Sequence, residues 1–510
     1  MRLRFLTLLI FCFSFVLRAG TPNEEFRATW VITWEYISSS SSQSQLKARI
    51  RKIMDDHKKA NMNAVLFQIR QGGTAYYNSS YEPWGYYAGH RNPGFDPLAY
   101  AIQEAHKRGL ELHAWFNVFA ASSTYQGAPA EEHPEWICRD QDGNPMTAHI
   151  ALSPGLEEVR NYTVQVAMEV VRNYDIDGLH LDYVRWNEYT NGLQSLKFGK
   201  IAAEKRFLDG MITEDQIREL NENMSGRYLY DYQHPYSNGV PDGFSTWETW
   251  WRWSVTEFVR TLHDSIQAVK PYVRLSVAAL GKYNWGGWQG YGTVYQDAAL
   301  WFNEGYIEQL TPMHYHWTSG PEFYGMLKGN GSESWQPWIQ QGVQAGRLFS
   351  VGPPSYRLEE NNIWSRHESI VEYSRKVPWV DGFQFFSYGS WEDYNYWEKA
   401  KSLFFQRRTK IRASKDIDDI APIDLKMTLL TLPRTTSSVS ILAKIISAFL
   451  IVMTGFKITT AHTDILLLRW IDSGMSLSLP MWWKGIRCLH SRRLWWILTR
   501  RLAIRFQPLR

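Results

Sequence analysis

The segment Asp175-Ile-Asp-Gly-Leu-His-Leu-Asp182-Tyr-Val-Arg185-Trp186 places acid, base and cation within a dozen residues. Side chains alternate across a strand, so His180 and Asp182 share one face while Leu179 and Leu181 take the other. If helices cover the leucine face, His180 and Asp182 point into the middle of a parallel sheet. A carboxylate there is costly as structure and useful as a nucleophile or as a stabiliser of developing positive charge. The structural alternative is a buried aspartate paired with Arg185 or Arg70.

Parity also aligns Gln68 with Arg70 and Trp115 with Asn117. Amide, guanidinium, aromatic and carboxylate groups converging on one cleft suit a polyhydroxylated ligand, because a sugar offers donors, acceptors and a flat apolar face. Arg185 and Tyr315 complete the expected substrate contacts. Three carboxylates are candidate proton donors: Glu35 beyond the first strand, Glu188 in the loop after Asp182, and Asp297, for which helix capping is the competing role. His314 and His316, two apart, could ligate a metal. No HExxH string accompanies them, so hydrogen bonding is the better reading and no cofactor is expected.

Positioning these groups requires a sheet. Eight apolar runs, Ala28–Trp34, Ala64–Arg70, Leu110–Val118, Ile176–Val184, Val273–Leu280, Ile307–Tyr315, Leu348–Gly352 and Gly382–Tyr388, alternate with segments of helical periodicity. Leu46, Ile50, Ile53 and Met54 make one such helix, and Val255, Phe258, Val259, Leu262 and Ile266 another. Asp96-Pro97 and Gly109 bound a third. Eight alternating units predict an α/β fold, a (β/α)8 TIM barrel, with a long insertion after strand 4 and sites on the loops that follow the strands.

Composition sets limits. The chain has 510 residues, 44% hydrophobic and 21% charged, so it has a core and is not mostly membrane. From residue 405 onward Lys and Arg outnumber Asp and Glu 18 to 6, leaving 37 against 45 before it. The body is therefore mildly acidic, and a basic nucleic-acid-binding face is not expected on it. Residues 1–20 read as a secretory signal peptide and predict export to periplasm or medium. The expected domain is 21–404. A basic tail, 405–510, holds one apolar stretch, 439–456, that is a candidate membrane segment.

Several strings occur in an order that resembles the glycosyl hydrolase-like 10 family. They include Phe26-Arg-Ala-Thr-Trp30, Asn61-Met-Asn-Ala-Val65, Phe67-Gln-Ile-Arg70, Asp96-Pro-Leu-Ala99 and Glu104-Ala-His-Lys-Arg-Gly-Leu110. His113-Ala-Trp-Phe-Asn117, His133-Pro-Glu-Trp136, Asp177-Gly-Leu-His-Leu-Asp182 and Pro312-Met313 with Tyr315 follow. The resemblance spans about Phe26 to Tyr388. It implies a TIM-barrel glycoside hydrolase of the bacterial envelope, with members linked to cleavage of peptidoglycan glycan strands stripped of peptides. The Gly178-to-Asp182 spacing also resembles the nucleophile strand of the α-amylase superfamily, but the fifth strand, Arg274–Leu280, lacks that superfamily's acid. The leading expectation is therefore a glycosidase using Asp182 with Glu35. The alternatives are a noncatalytic carbohydrate-binding barrel, or a metal-dependent hydrolase or deacetylase using His314 and His316.

Overall fold

The computed structural model describes residues 22–186, 227–286, 288–329 and 331–413. The signal peptide, Glu188, most of the strand-4 insertion and residues 439–456 lie outside the described residues.

Eight parallel strands close into a barrel: β1 Phe26–Val31, β2 Ala64–Gln71, β3 Glu111–Asn117, β4 Gly178–Asp182, β5 Arg274–Val277, β6 Gln309–Leu310, β7 Leu348–Val351 and β8 Gly382–Phe385. Each pairs with the next, and β1 pairs with both β2 and β8, which shuts the ring. A two-residue strand, Thr74–Ala75, folds back antiparallel on the end of β2. The strands are buried on both faces, as parallel barrel strands must be. Alternation sends Phe26, Ala28 and Trp30 inward, where they pack with Ala64, Leu66 and Trp115. Gly178 has a steric role, since a Cβ there would lie 2.3 Å from Nδ1 of His113 on β3.

The helices form from the expected signals. Ser42 and Gln45 make a capping box on α1, Gln43–Lys59, which buries Leu46, Ile50, Ile53 and Met54. Asp96 accepts from the Ala99 N–H at 3.0 Å to start α2, Pro97–His106. Two longer helices, α3 Glu157–Asn173 and α4 Trp247–Val269, pack on each other. The latter buries Val255, Phe258, Val259, Leu262 and Ile266.

Of the expected spans that run past the observed strands, three bear on the rim. The first strand ends at Val31, and Trp34 and Glu35 sit on a one-turn helix, Thr33–Tyr36. The sixth is only Gln309–Leu310; beyond it Met313 makes isolated bridges to Leu280 and Gly352. The eighth ends at Phe385, with Tyr388 opening a short helix. In each case the chain leaves the ladder to build the rim.

The chain also stays with the barrel beyond the expected boundary at 404. Phe405 is fully buried with the Arg27 guanidinium 4.4 Å from its ring centroid. The Glu25 N–H donates to the Lys410 carbonyl at 2.8 Å, and Ile411 packs against the barrel's interior cluster. Losing a buried phenylalanine costs about 3–5 kcal/mol. A chain ending at residue 404 is therefore expected to melt several degrees below one ending at 413 in the same thermal scan. Equal melting temperatures would mean that this strap adds nothing.

Candidate active site

A cavity of about 220 Å³ opens at the C-terminal ends of the strands. Its apolar walls are Trp30, Trp34, Trp115, Tyr315 and Phe386, and Gln68, Gln71, Asn117, Asp182 and Arg185 supply polar groups. Asp182 is the one carboxylate that lines it among the described residues.

Asp182 ends β4 on the inward face and is 6% exposed. Its Oδ2 accepts from the Trp115 indole N–H at 3.2 Å, and its Oδ1 takes the backbone N–H of Tyr183 at 2.7 Å. Tyr183 has φ of 50°, in the left-handed region that a bulky residue enters only at a cost. Burial raises the Asp182 pKa, while Arg185, the Tyr183 N–H and Trp115 pull it down. The Arg185 guanidinium lies 4.7 Å from the Tyr183 ring centroid and keeps a buried Nη1 without a hydrogen-bond partner among the described residues. Burial and then the Asp182 charge hold the Tyr315 hydroxyl well above its ordinary pKa, so it stays a neutral O–H.

Under the cavity floor lies a buried hydrogen-bond chain. The Trp30 indole N–H donates to Nε2 of His180 at 2.8 Å, so that nitrogen carries no proton. Nδ1–H is left to donate to Ser276 Oγ, 2.8 Å away. Burial depresses the His180 pKa well below its usual value and the ring is neutral. His180 is fully buried and does not line the cavity, so it reaches a substrate only through Trp30. Gln68 accepts the Thr33 N–H at 3.1 Å and donates to Asn117 Oδ1 at 3.4 Å, tying the ends of β2 and β3 to the loop after β1.

Arg70 requires a correction. Simple parity puts it beside Gln68 on the inner face, but a bulge between Gln68 and Arg70 shifts the register, so that Arg70 pairs with outward-facing Phe116. Its guanidinium is fully buried outside the cavity in a two-bonded ion pair with Glu82, at 2.5 and 2.8 Å. It also donates to the carbonyls of Asn117 and Val118. Arg70 sets the strand ends and does not reach the cleft.

Glu35 does not line the cavity either. Its Oε2 takes the Ile32 N–H at 2.7 Å; its Oε1 takes the Gly389 N–H at 2.7 Å and the Ser387 hydroxyl at 3.1 Å. The carboxyl thus staples the loop after β1 to the loop after β8. Burial pushes its pKa up to about 7 against these three donors.

A family model described as Glycosyl hydrolase-like 10 matches residues 25–337. The chain belongs to this family. Glycosyl hydrolase YngK of Bacillus subtilis is 29% identical over 419 residues, 75% of this chain and 73% of that protein. Glycosyl hydrolase DigH of Escherichia coli K12 is 26% identical over 400 residues, 70% of this chain and 80% of that one. Among solved structures, the PgaB (BpsB) glycoside hydrolase domain from Bordetella bronchiseptica aligns with 77% of this chain and 100% of that domain at 11% identity, with a TM-score of 0.44. Family membership supports a glycoside hydrolase.

Within this glycosyl hydrolase-like 10 chain the histidine pair does not converge. Strand β6 has ended before it, and His314 turns into the core, its Nδ1 accepting the Gly352 N–H at 3.1 Å, with burial lowering its pKa to about 3. His316 is exposed. No group of three His, Cys, Asp or Glu side chains suited to a metal ion occurs among the described residues. Asp297 caps a helix, accepting the Leu300 N–H at 3.4 Å and the Tyr283 hydroxyl at 2.5 Å. Trp30, Trp34, Gln71, Tyr183, Met313 and Phe386 line the cavity without having been expected there. Strand parity would have found Trp30, which lies two residues beyond inward-facing Ala28.

The raised Glu35 pKa has a testable sign. Its protonated form is favoured on folding, so the parent loses stability as pH rises from about 4.5 towards about 7. Glu35→Gln removes that titration at the constant cost of one acceptor. Melting curves across this range should show the variant gaining on the parent, by up to about 3 kcal/mol. A pH-independent gap would show that Glu35 does not titrate near neutrality.

Proposed function

We propose that this chain is a glycosidase that hydrolyses a polysaccharide, with peptide-free peptidoglycan strands first among substrates and Asp182 as nucleophile or stabilising carboxylate. The observation that carries this reading is the setting of Asp182. It is inward, nearly sealed, oriented by two N–H donors and surrounded by aromatic faces at the catalytic end of the barrel. Ionised, it would attack the anomeric carbon or offset the charge of an oxocarbenium-like transition state. Arg185 favours the anion, and the neutral Tyr315 hydroxyl can donate to a sugar oxygen or to the carboxylate. Gln68, Gln71 and Asn117 offer amides to sugar hydroxyls, and Trp30, Trp34 and Trp115 offer flat faces.

The leaving group also needs a proton. Glu35 would have to release a backbone donor to supply it, and Asp297 is occupied as a cap. This absence of a second carboxylate in the cavity among the described residues favours one alternative, a carbohydrate-binding barrel without turnover. The signal peptide reading places the protein outside the cytoplasm, and residues 439–456 would hold it at a membrane.

The deciding experiment incubates full-length protein with peptide-free glycan strands and examines the product ends. Asp182→Asn keeps size and most hydrogen bonding while removing charge. It is expected to lower kcat about a thousandfold or more with KM little changed. Activity within a few-fold of the parent would move the site elsewhere. Binding without cleavage by the parent would select the non-catalytic reading.

A further inference from the structure

Trp34 lines the cavity and is 49% exposed at its rim. From it a succession of aromatic rings runs over the loops after β2 and β3. Trp34 meets Tyr87 at 5.6 Å between centroids, Tyr87 meets Tyr86 at 5.4 Å, and Tyr86 meets His90 at 6.2 Å. His90 stacks on Tyr125 at 3.7 Å with the rings 5° apart. Tyr86 is 73% exposed and Tyr125 is 43% exposed.

Such exposure gives up the burial that normally fixes a tyrosine in a fold. Yet the loop beneath is firmly built. A Cβ at Gly85 would lie 2.3 Å from the Tyr76 ring, and Gly89, with φ of 68°, ends the helical turn Tyr86–Ala88 by donating to the Tyr86 carbonyl at 2.8 Å. His90 Nδ1 donates to the Trp84 carbonyl at 3.0 Å. Glu82, in the same loop, is locked on Arg70. The backbone is thus firmly tied, with Tyr87 and His90 half-buried, while Trp34, Tyr86 and Tyr125 stay exposed. That combination suits a stacking surface, where ordering before binding lowers the entropy cost of association. Neighbouring centroids other than the stacked pair lie 5.4–6.2 Å apart with the rings tilted or edge to face, so the row offers faces and edges in turn, and Trp34 joins it to the cleft.

We propose, on the reading of the cleft as a glycosidase site, that Trp34, Tyr87, Tyr86, His90 and Tyr125 form a track for the polysaccharide chain outside the cleft. The track makes the protein select long glycan chains over short fragments. Recognition along it rests on sugar faces stacking against rings and on the tyrosine hydroxyls.

The test measures binding rather than turnover. Peptide-free glycan strands are separated into short and long fractions and titrated calorimetrically into the full-length Asp182→Asn protein, alone and with Tyr86→Ala, Tyr125→Ala or both. The parent background should bind long strands more tightly than short ones. Each alanine should weaken long-strand binding about three- to tenfold, so that the long-over-short preference collapses in the double variant. Both side chains are exposed, so melting temperatures should match and a fold defect would be visible. Equal affinity of the parent background for long and short strands overturns the track, as does a preference that survives the double substitution. The glycosidase reading fails separately: parent protein that binds long strands through these rings but never cuts them keeps the track and loses the catalysis.

Discussion

The buried ion pair of Arg70 and Glu82 holds the active end of the barrel together. Neither side chain is exposed, and a buried charge robbed of its partner costs about 3–5 kcal/mol. The guanidinium therefore fixes whatever it touches. It touches the carbonyls of Asn117 and Val118 at the end of β3 and, through Glu82, the loop after β2. Tyr162 of α3 adds its hydroxyl to Glu82 at 3.1 Å. One charge pair thus registers the amide floor of the cleft, the loop carrying the exposed rings, and a helix of the outer layer.

The charges of this barrel divide by what they are for. At the N-terminal end Glu111 is matched by Arg274 at 2.8 Å and His113 at 2.9 Å, and its pKa falls to about 2. Arg70 and Glu82 match each other. Asp182 has no cation at ion-pair distance among the described residues, and burial raises its pKa instead. Its carboxylate is oriented by neutral donors, and below it His180 is locked as an uncharged ring. On the proposed reading, Asp182, when ionised, has no counter-ion to displace before it faces a developing cation, a cost in stability that catalytic sites commonly carry.

Much of this architecture was legible in the chain because it is local. Period-2 and period-3.6 patterns mark eight strand-helix units, Asp96-Pro97 marks a helix start, and parity along Gly178–Asp182 turns the aspartate inward. What escaped depends on partners far away in sequence. The bulge that turns Arg70 outward is one extra residue with no compositional mark. Glu35 takes the Ile32 N–H without a capping box, since Ile32 has no side-chain oxygen to return the bond and so no Ser or Thr signal marks the turn, and its other oxygen finds Gly389 only once the ring has closed. The Trp30–His180 bond joins strands on different sides of the barrel. The exposed rings are visible as residues, but only the folded loop brings them into a row.

Closure itself has a consequence for how the chain comes to be folded. The ring shuts where β1 meets β8, and the strap that seals it joins residues 380 and more positions apart. Until the last strand has emerged during synthesis, the edge of Phe26–Val31 stands unpaired and the aromatic interior of the barrel is open on one side. Contacts of such long range are slow to form, and open strand edges invite pairing with other chains. The half-made barrel, rather than the finished one, is therefore the species most exposed to aggregation. A sequence that fills the interior with Trp and Phe gains a well-lined cleft and becomes more dependent on protection while it is being made.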